Sequence, residues 1–175
     1  MHNYFLKKFY FINSFKKNNI DKLDNNTTII FRNYKNKLNV NEIIKIKNYC
    51  KKKGIKFFLS NNIKLAIKLK LDGAYLPSFN NNFRHLSFNL ISSFLLIGSA
   101  HNLKEIRTKE KQNVDLIFIS SVFKKNKNYL GKYRFRILRK LTRNSVIALG
   151  GISRENISNL KLLNCEGFSG ISFFE

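Results

Sequence analysis

Eight short apolar runs, separated by longer polar stretches that carry apolar residues at helical spacing, leave few folds open to this chain of 175 residues. The runs are Phe9 to Phe15, Thr28 to Arg32, Ile55 to Leu59, Gly73 to Leu76, Phe94 to Gly98, Leu116 to Ile119, Val146 to Leu149 and Gly167 to Phe173. Short, continuously apolar runs of this kind are what parallel strands buried on both faces require. The segments between them read as helices. Asn41 to Lys53 sets Ile43, Ile44, Ile46 and Tyr49 on one side, with Asn39 as N-cap and Gly54 as the stop. Ile63 to Leu71, Leu103 to Gln112 behind an Asn102 cap, Lys132 to Thr142, and Arg154 to Leu163 behind a Ser153 cap continue the series. Asp21 to Leu23 and Asn80 to Asn89 leave little room for full helices.

Strand and helix alternating in this way predict an α/β fold, a (β/α)8 TIM barrel formed by residues 1–175 as a single domain. The barrel is compact, since about 250 residues is typical and about 200 the usual lower bound. Glu175 follows the eighth run directly, so the barrel is expected to lack its final covering helix. An open end or a partner subunit would stand in for it, which keeps a homodimer among the expected states.

Hydrophobic residues make up 43% of the chain, enough for a packed core and too many for a disordered one. The formal net charge is +23, a value that points either to an anionic partner or to a lysine- and asparagine-rich composition with no partner behind it. Because the aromatic residues fall inside the apolar runs, where they serve the core, nucleic acid is not the expected partner. Cys50 and Cys165 form no metal-ligand cluster and read as reduced thiols. Lys7, Lys8 and Asn13 interrupt the N-terminal aromatic stretch, and no segment reaches the ~20 apolar residues of a membrane span. A cytoplasmic protein with no membrane partner is the expectation.

In parallel barrels the active site lies at the C-terminal ends of the strands. The polar residues there include Arg32, Asn61, Ser99, His101, Ser120, Ser121 and Ser172. Two of these ends are glycine-bearing: Leu149-Gly150-Gly151-Ile152 after the seventh run, and Gly170-Ile171-Ser172 within the eighth. Glycine lets backbone amides approach an anion, and barrels frequently hold phosphate between the loops after strands seven and eight. A tight strand-to-helix turn would also need glycine, for its own dihedrals.

Several of these segments, in order, resemble the thiamine phosphate synthase and thiazole tautomerase family. They are Ile30-Phe31-Arg32-Asn33-Tyr34, Ser60-Asn61, Gly73-Ala74-Tyr75-Leu76, Gly98-Ser99-Ala100-His101, Ser120-Ser121-Val122-Phe123, and the two glycine-bearing ends. The resemblance runs nearly end to end. It implies a transferase that joins hydroxymethylpyrimidine pyrophosphate to thiazole phosphate, giving thiamine phosphate and pyrophosphate. It assigns Arg32 to the pyrophosphate, Ser99 to the neighbourhood of the leaving group, and Gly150, Gly151, Ile171 and Ser172 to the thiazole phosphate. The lysine-rich loop with Lys124, Lys125 and Lys127 stands where the family has a basic substrate loop, which makes Lys125 and Lys127 catalytic candidates. The resemblance also implies Mg²⁺, but the two aspartates that hold it fall at Asn61 and Asn80, neutral groups that bind a hard cation weakly. Asn61 is kept as a substrate-binding candidate. Tyr34 replaces the lysine of the arginine motif, with Lys35 beside it, and Ser121 replaces the tautomerase histidine. A family member that keeps only the phosphate pocket is the alternative reading.

Overall fold

The computed structural model describes residues 6–34 and 38–174, in which eight parallel strands close into a barrel in sequence order. The strands are β1 (Lys7–Ile12), β2 (Thr27–Phe31), β3 (Phe57–Ser60), β4 (Gly73–Leu76), β5 (Leu95–Ala100), β6 (Leu116–Ser120), β7 (Ser145–Leu149) and β8 (Gly167–Ser169). The helices are α1 (Lys17–Asp21), α2 (Val40–Lys52), α3 (Ile63–Lys68), α4 (Leu103–Lys111), α5 (Gly131–Lys140) and α6 (Ile171–Phe174), with 3₁₀ segments at Arg84–Ser87 and Ile157–Leu163. Closure comes from β8 pairing with β1, Phe9 opposite Ser169.

Alternation along each strand divides the apolar residues between two compartments. Phe9, Phe11, Ile30, Phe58, Tyr75, Ile97, Leu116, Phe118 and Ile147 point into the lumen. Their neighbours, among them Tyr10, Ile29, Phe31, Phe57, Leu59 and Leu96, meet the helices outside. The lumen is filled by rings, and the ladder sets a small residue opposite each of three: Phe9 pairs with Ser169, Phe58 with Gly73, and Phe118 with Ser99. Phe9 and Phe11 both contact the Phe118 ring, and Phe11 also meets Tyr75 edge-on at 5.2 Å. At Gly73 a Cβ would lie 2.2 Å from the Leu95 carbonyl oxygen and 2.6 Å from the Phe58 ring.

Local signals place the longer helices as the sequence predicts. Asn39 Oδ1 accepts from the amides of Asn41 and Glu42, and Asn102 Oδ1 accepts from the Glu105 amide. Gly54 follows α2 with φ +66°. Three expectations are corrected. The first strand ends at Ile12, not Phe15, because Asn13 and Ser14 leave the ladder and Phe15 turns outward onto Tyr49. The eighth ends at Ser169 rather than Phe173: a Cβ at Gly170 would lie 2.4 Å from the Ile152 carbonyl oxygen, and the chain bends there. Among the described residues no full covering helix follows β8. α6 completes one turn, packing Phe173 and Phe174 on Phe168 and setting Phe174 against Tyr10. Ser153 caps no helix, since Asn156 Oδ1 accepts from the Ser153 amide and Asn156 Nδ2 donates to the Gly151 carbonyl, winding the segment into a tighter 3₁₀ path. Lys35, and the first five residues of the N-terminal stretch, lie outside the described residues. Among the described residues no helix is long and apolar enough to cross a membrane.

Filling the lumen with rings makes the small partners obligatory. Gly73→Ala is expected to destabilise the fold by ~2–3 kcal/mol in urea unfolding, because the obstructing Leu95 oxygen belongs to the backbone and cannot swing aside; unfolding at the wild-type urea midpoint would contradict this packing.

Candidate active site

Arg32 sits one residue beyond β2, and its guanidinium lies over the Phe11 ring at 4.6 Å from the centroid. Phe11 is itself locked in the lumen, so the cation is held at the barrel mouth by a fixed aromatic face. Arg32 and Ile171 line one cavity of about 210 Å³, together with Asn13, Ser14, Lys16 and Asn19. A residue expected at the pyrophosphate and one expected at the thiazole phosphate therefore share a wall. Among the described residues the lining holds no carboxylate, and its charged groups are Arg32 and Lys16.

The glycine-bearing ends of β7 and β8 are shaped by close backbone approach. Gly150 and Gly151 have φ of +102° and +75°. A Cβ on Gly150 would lie 2.3 Å from Ser121 Oγ, and one on Gly151 would lie 2.5 Å from the Lys124 amide nitrogen. The Gly150 carbonyl accepts from both Phe123 and Lys124 amides, which ties the β6–α5 loop to the β7 end. The dihedrals demand glycine, as a tight turn would, and the amides of Gly151, Ile171 and Ser172 donate to no acceptor among the described residues. Lys125 and Lys127 ride this tied loop, exposed and without a hydrogen bond or ion pair among the described residues. The structure does not bring them to Arg32 or Ser99.

Ser99 is buried, and its Oγ accepts a hydrogen bond from Tyr75 OH at 2.8 Å. Burial pushes the Tyr75 phenol up to about 12, so it remains a neutral donor across the ordinary pH range. Nearer the mouth, Tyr34 shares a hydrogen bond with Ser60 at 2.5 Å and packs edge-on against Phe79. The polar groups of Arg32, Tyr34, Ser60, Tyr75 and Ser99 thus cluster where the aromatic lumen meets the mouth. His101 plays no part in it, because its Nδ1 and amide both engage Glu105, completing the cap of α4.

Asn61 and Asn80 come together as the sequence resemblance requires, but as partners of one another. Asn80 Nδ2 donates to Asn61 Oδ1 at 2.6 Å. Asn80 Oδ1 faces the other way and accepts from the Asn82 amide and from Gln112 Nε2. The donor set does not fit Mg²⁺: both groups are neutral, and both amide oxygens already accept hydrogen bonds. Among the described residues no three His, Cys, Asp or Glu side chains cluster as a metal site.

Behind Asn80 lies a group that sequence reading passed over. Lys109 is fully buried, and its Nζ donates to the Asn80 carbonyl at 2.7 Å and to Gln112 Oε1 at 2.9 Å. Gln112 Nε2 reaches the Asn80 and Asn82 carbonyls, and the Gln112 carbonyl meets His85 Nε2 at 2.8 Å. The lysine stem lies against Gly98, where a Cβ would stand 2.8 Å from Lys109 Cδ. A signal was present. Ile106, Lys109 and Gln112 recur at three-residue steps, which puts the lysine on the buried stripe of α4 instead of its solvent face.

Residues 21–174 match the family model described as thiamine monophosphate synthase. A thiamine-phosphate synthase of Prochlorococcus marinus subsp. pastoris is 32% identical over 135 residues, covering 75% of this chain and 38% of that protein. One from Persephonella marina is 25% identical over 146 residues, covering 81% of this chain and 69% of that protein. Among solved structures, thiamine phosphate pyrophosphorylase from Pyrococcus furiosus superposes with a TM-score of 0.76 at 20% identity, covering 95% of this chain and 86% of that one. This last likeness speaks for the fold. The chain spans little more than a third of the length of the Prochlorococcus relative.

Burial holds the Lys109 ammonium down to about 8, with Glu105 opposing the shift, against an ordinary 10.5. The folded value lies below the unfolded one, so between these limits the unfolded chain binds the extra proton and stability rises with pH; below about 8 both states are protonated and the dependence vanishes. Denaturation at slightly and at strongly alkaline pH should show wild type gaining on the order of 1–2 kcal/mol relative to Lys109→Met. Parallel pH profiles for the two proteins would contradict the assignment.

Proposed function

The chain belongs to the thiamine monophosphate synthase family, and from that premise we propose that it joins hydroxymethylpyrimidine pyrophosphate to thiazole phosphate to give thiamine phosphate and pyrophosphate. The observation that supports the reading is the shared cavity at the mouth, which Arg32 and Ile171 both line with no carboxylate among its described residues. In this reaction the bond between the pyrimidine methylene carbon and the pyrophosphate oxygen breaks, and its electron pair leaves with pyrophosphate. The thiazole nitrogen then donates its lone pair to the same carbon. No redox partner or external proton is required.

The residues act chiefly by placement and charge. Arg32 offers a forked cation to the departing pyrophosphate, and its seat on Phe11 keeps it from following the leaving group. The amides of Gly151, Ile171 and Ser172 receive the thiazole phosphate, with Gly150 fixing their loop. Ser99, oriented by Tyr75, supplies a polar group beside the reacting centre. Asn61 contributes through its bridge to Asn80, and Lys125 and Lys127 form an exposed cationic approach to the mouth. No step is routed through Mg²⁺, because the residues at its expected position do not fit it. A single-domain cytoplasmic enzyme, able to pair as a homodimer, completes the proposal.

Purified full-length protein mixed with both precursors is expected to form thiamine phosphate. Arg32→Ala should lower kcat/KM by ~100-fold or more, in keeping with removal of a charged group that acts on developing charge. Binding of thiazole phosphate without any product would instead support a family member that keeps only its phosphate pocket.

A further inference from the structure

The bridge between Asn61 and Asn80 has a construction of its own, and its parts run counter to a metal site. We propose that this notch is a metal-rejecting, charge-substituted half-site, in which protein cations hold a diphosphate group without a divalent ion. The diphosphate occupant rests on the transferase reading above; the rejection of metal does not.

Three observations carry the inference. The amides are oriented by partners that a metal would have to displace. Asn80 Oδ1 is held by two donors, the Asn82 amide at 2.9 Å and Gln112 Nε2 at 3.2 Å, so its NH₂ is turned into the notch and occupies Asn61 Oδ1. A cation there would meet an amide donor on one side and an oxygen already in use on the other. The second observation is charge. The Lys109 ammonium, packed against Gly98, hydrogen-bonds the carbonyl of the same Asn80, so a divalent ion at the exposed Asn61–Asn80 bridge would approach a like charge just behind it. The third is the adjoining groove of about 180 Å³, lined by Asn61, Asn80, Asn82, Lys64 and Arg84 with no Asp or Glu among the described residues of its wall. Its cationic side chains, with the second N–H of the Asn80 amide, suit phosphoryl oxygens, and the charge that a metal would contribute is already covalently present.

The notch is therefore not a damaged metal site with its ligands merely lost. Lys109 and Gln112 act as positioning residues: they fix the β4–β5 connection from behind and set the direction in which the Asn80 amide points.

Two measurements on the full chain test this. Mn²⁺ binding, read by water-proton relaxation, should be weak for wild type and at least tenfold tighter for the double variant Asn61→Asp, Asn80→Asp. If the double variant does not fold, Asn80→Asp alone serves, since its carboxylate keeps the donors from Asn82 and Gln112. Wild type that binds Mn²⁺ as tightly as the aspartate variants would overturn the proposal. Calorimetry with inorganic pyrophosphate in EDTA should show binding whose affinity changes less than threefold when Mg²⁺ replaces EDTA, and which Lys64→Ala with Arg84→Ala weakens at least fivefold. Binding only with Mg²⁺ would overturn the half-site while leaving the transferase reading standing. Absence of binding in both conditions would overturn the diphosphate occupant together with that reading, and the Mn²⁺ titration would still decide whether metal is rejected.

Discussion

Phe9, Phe58 and Phe118 can occupy one narrow lumen only because the parallel register places Ser169, Gly73 and Ser99 across the ladder from them. This pairing of ring with small residue fixes which strands can be neighbours, and a one-residue slip would turn each ring to the outer face. The mouth inherits its geometry from the same packing. Phe11 and Tyr75 belong to the ring cluster, and they carry the Arg32 guanidinium and the Ser99 hydrogen bond respectively. The chemistry at the rim is thereby built on the most rigid part of the fold.

A second constraint works from outside the barrel. Lys109 enters the layer between α4 and β5 because Gly98 leaves room for its stem, and its ammonium is satisfied by Asn80 and Gln112. Burying a charge is costly unless it is hydrogen-bonded, so the network fixes the connection that carries Asn80 as firmly as an apolar plug would. The two ends of the mouth then differ in kind. The β7–β8 end offers backbone amides and glycine-dependent turns, and the β3–β4 end offers side-chain amides backed by a cation.

The barrel was legible because buried parallel strands leave continuous apolar runs, and six of the eight strands ended within two residues of where the runs did. The limits of β1 and β8 were lost where aromatic residues continue past the ladder: Phe15, Phe173 and Phe174 are apolar for packing reasons that have nothing to do with strand pairing. Asn39 and Asn102 announced their helices through short-range capping, but Ser153 misled because Asn156, three residues on, competes for the same backbone groups. At the site, Arg32 and Ile171 could be assigned to one mouth from strand order alone. The mutual bond of Asn61 and Asn80 could not, since amide orientation depends on Gln112 and Asn82, which are distant from Asn61 in sequence. Lys109 was hidden by its chemistry, a lysine being expected at the surface in a chain of net charge +23.

The proposed chemistry requires the β7–β8 end to receive a phosphate. A crystal structure of the full chain soaked with thiazole phosphate tests it most directly. The phosphate is expected within hydrogen-bond distance of the amides of Gly151, Ile171 and Ser172, with the ring directed toward Arg32. Density for the phosphate elsewhere on the barrel, or a mouth in which these amides stay without an anion at saturating ligand, would contradict it.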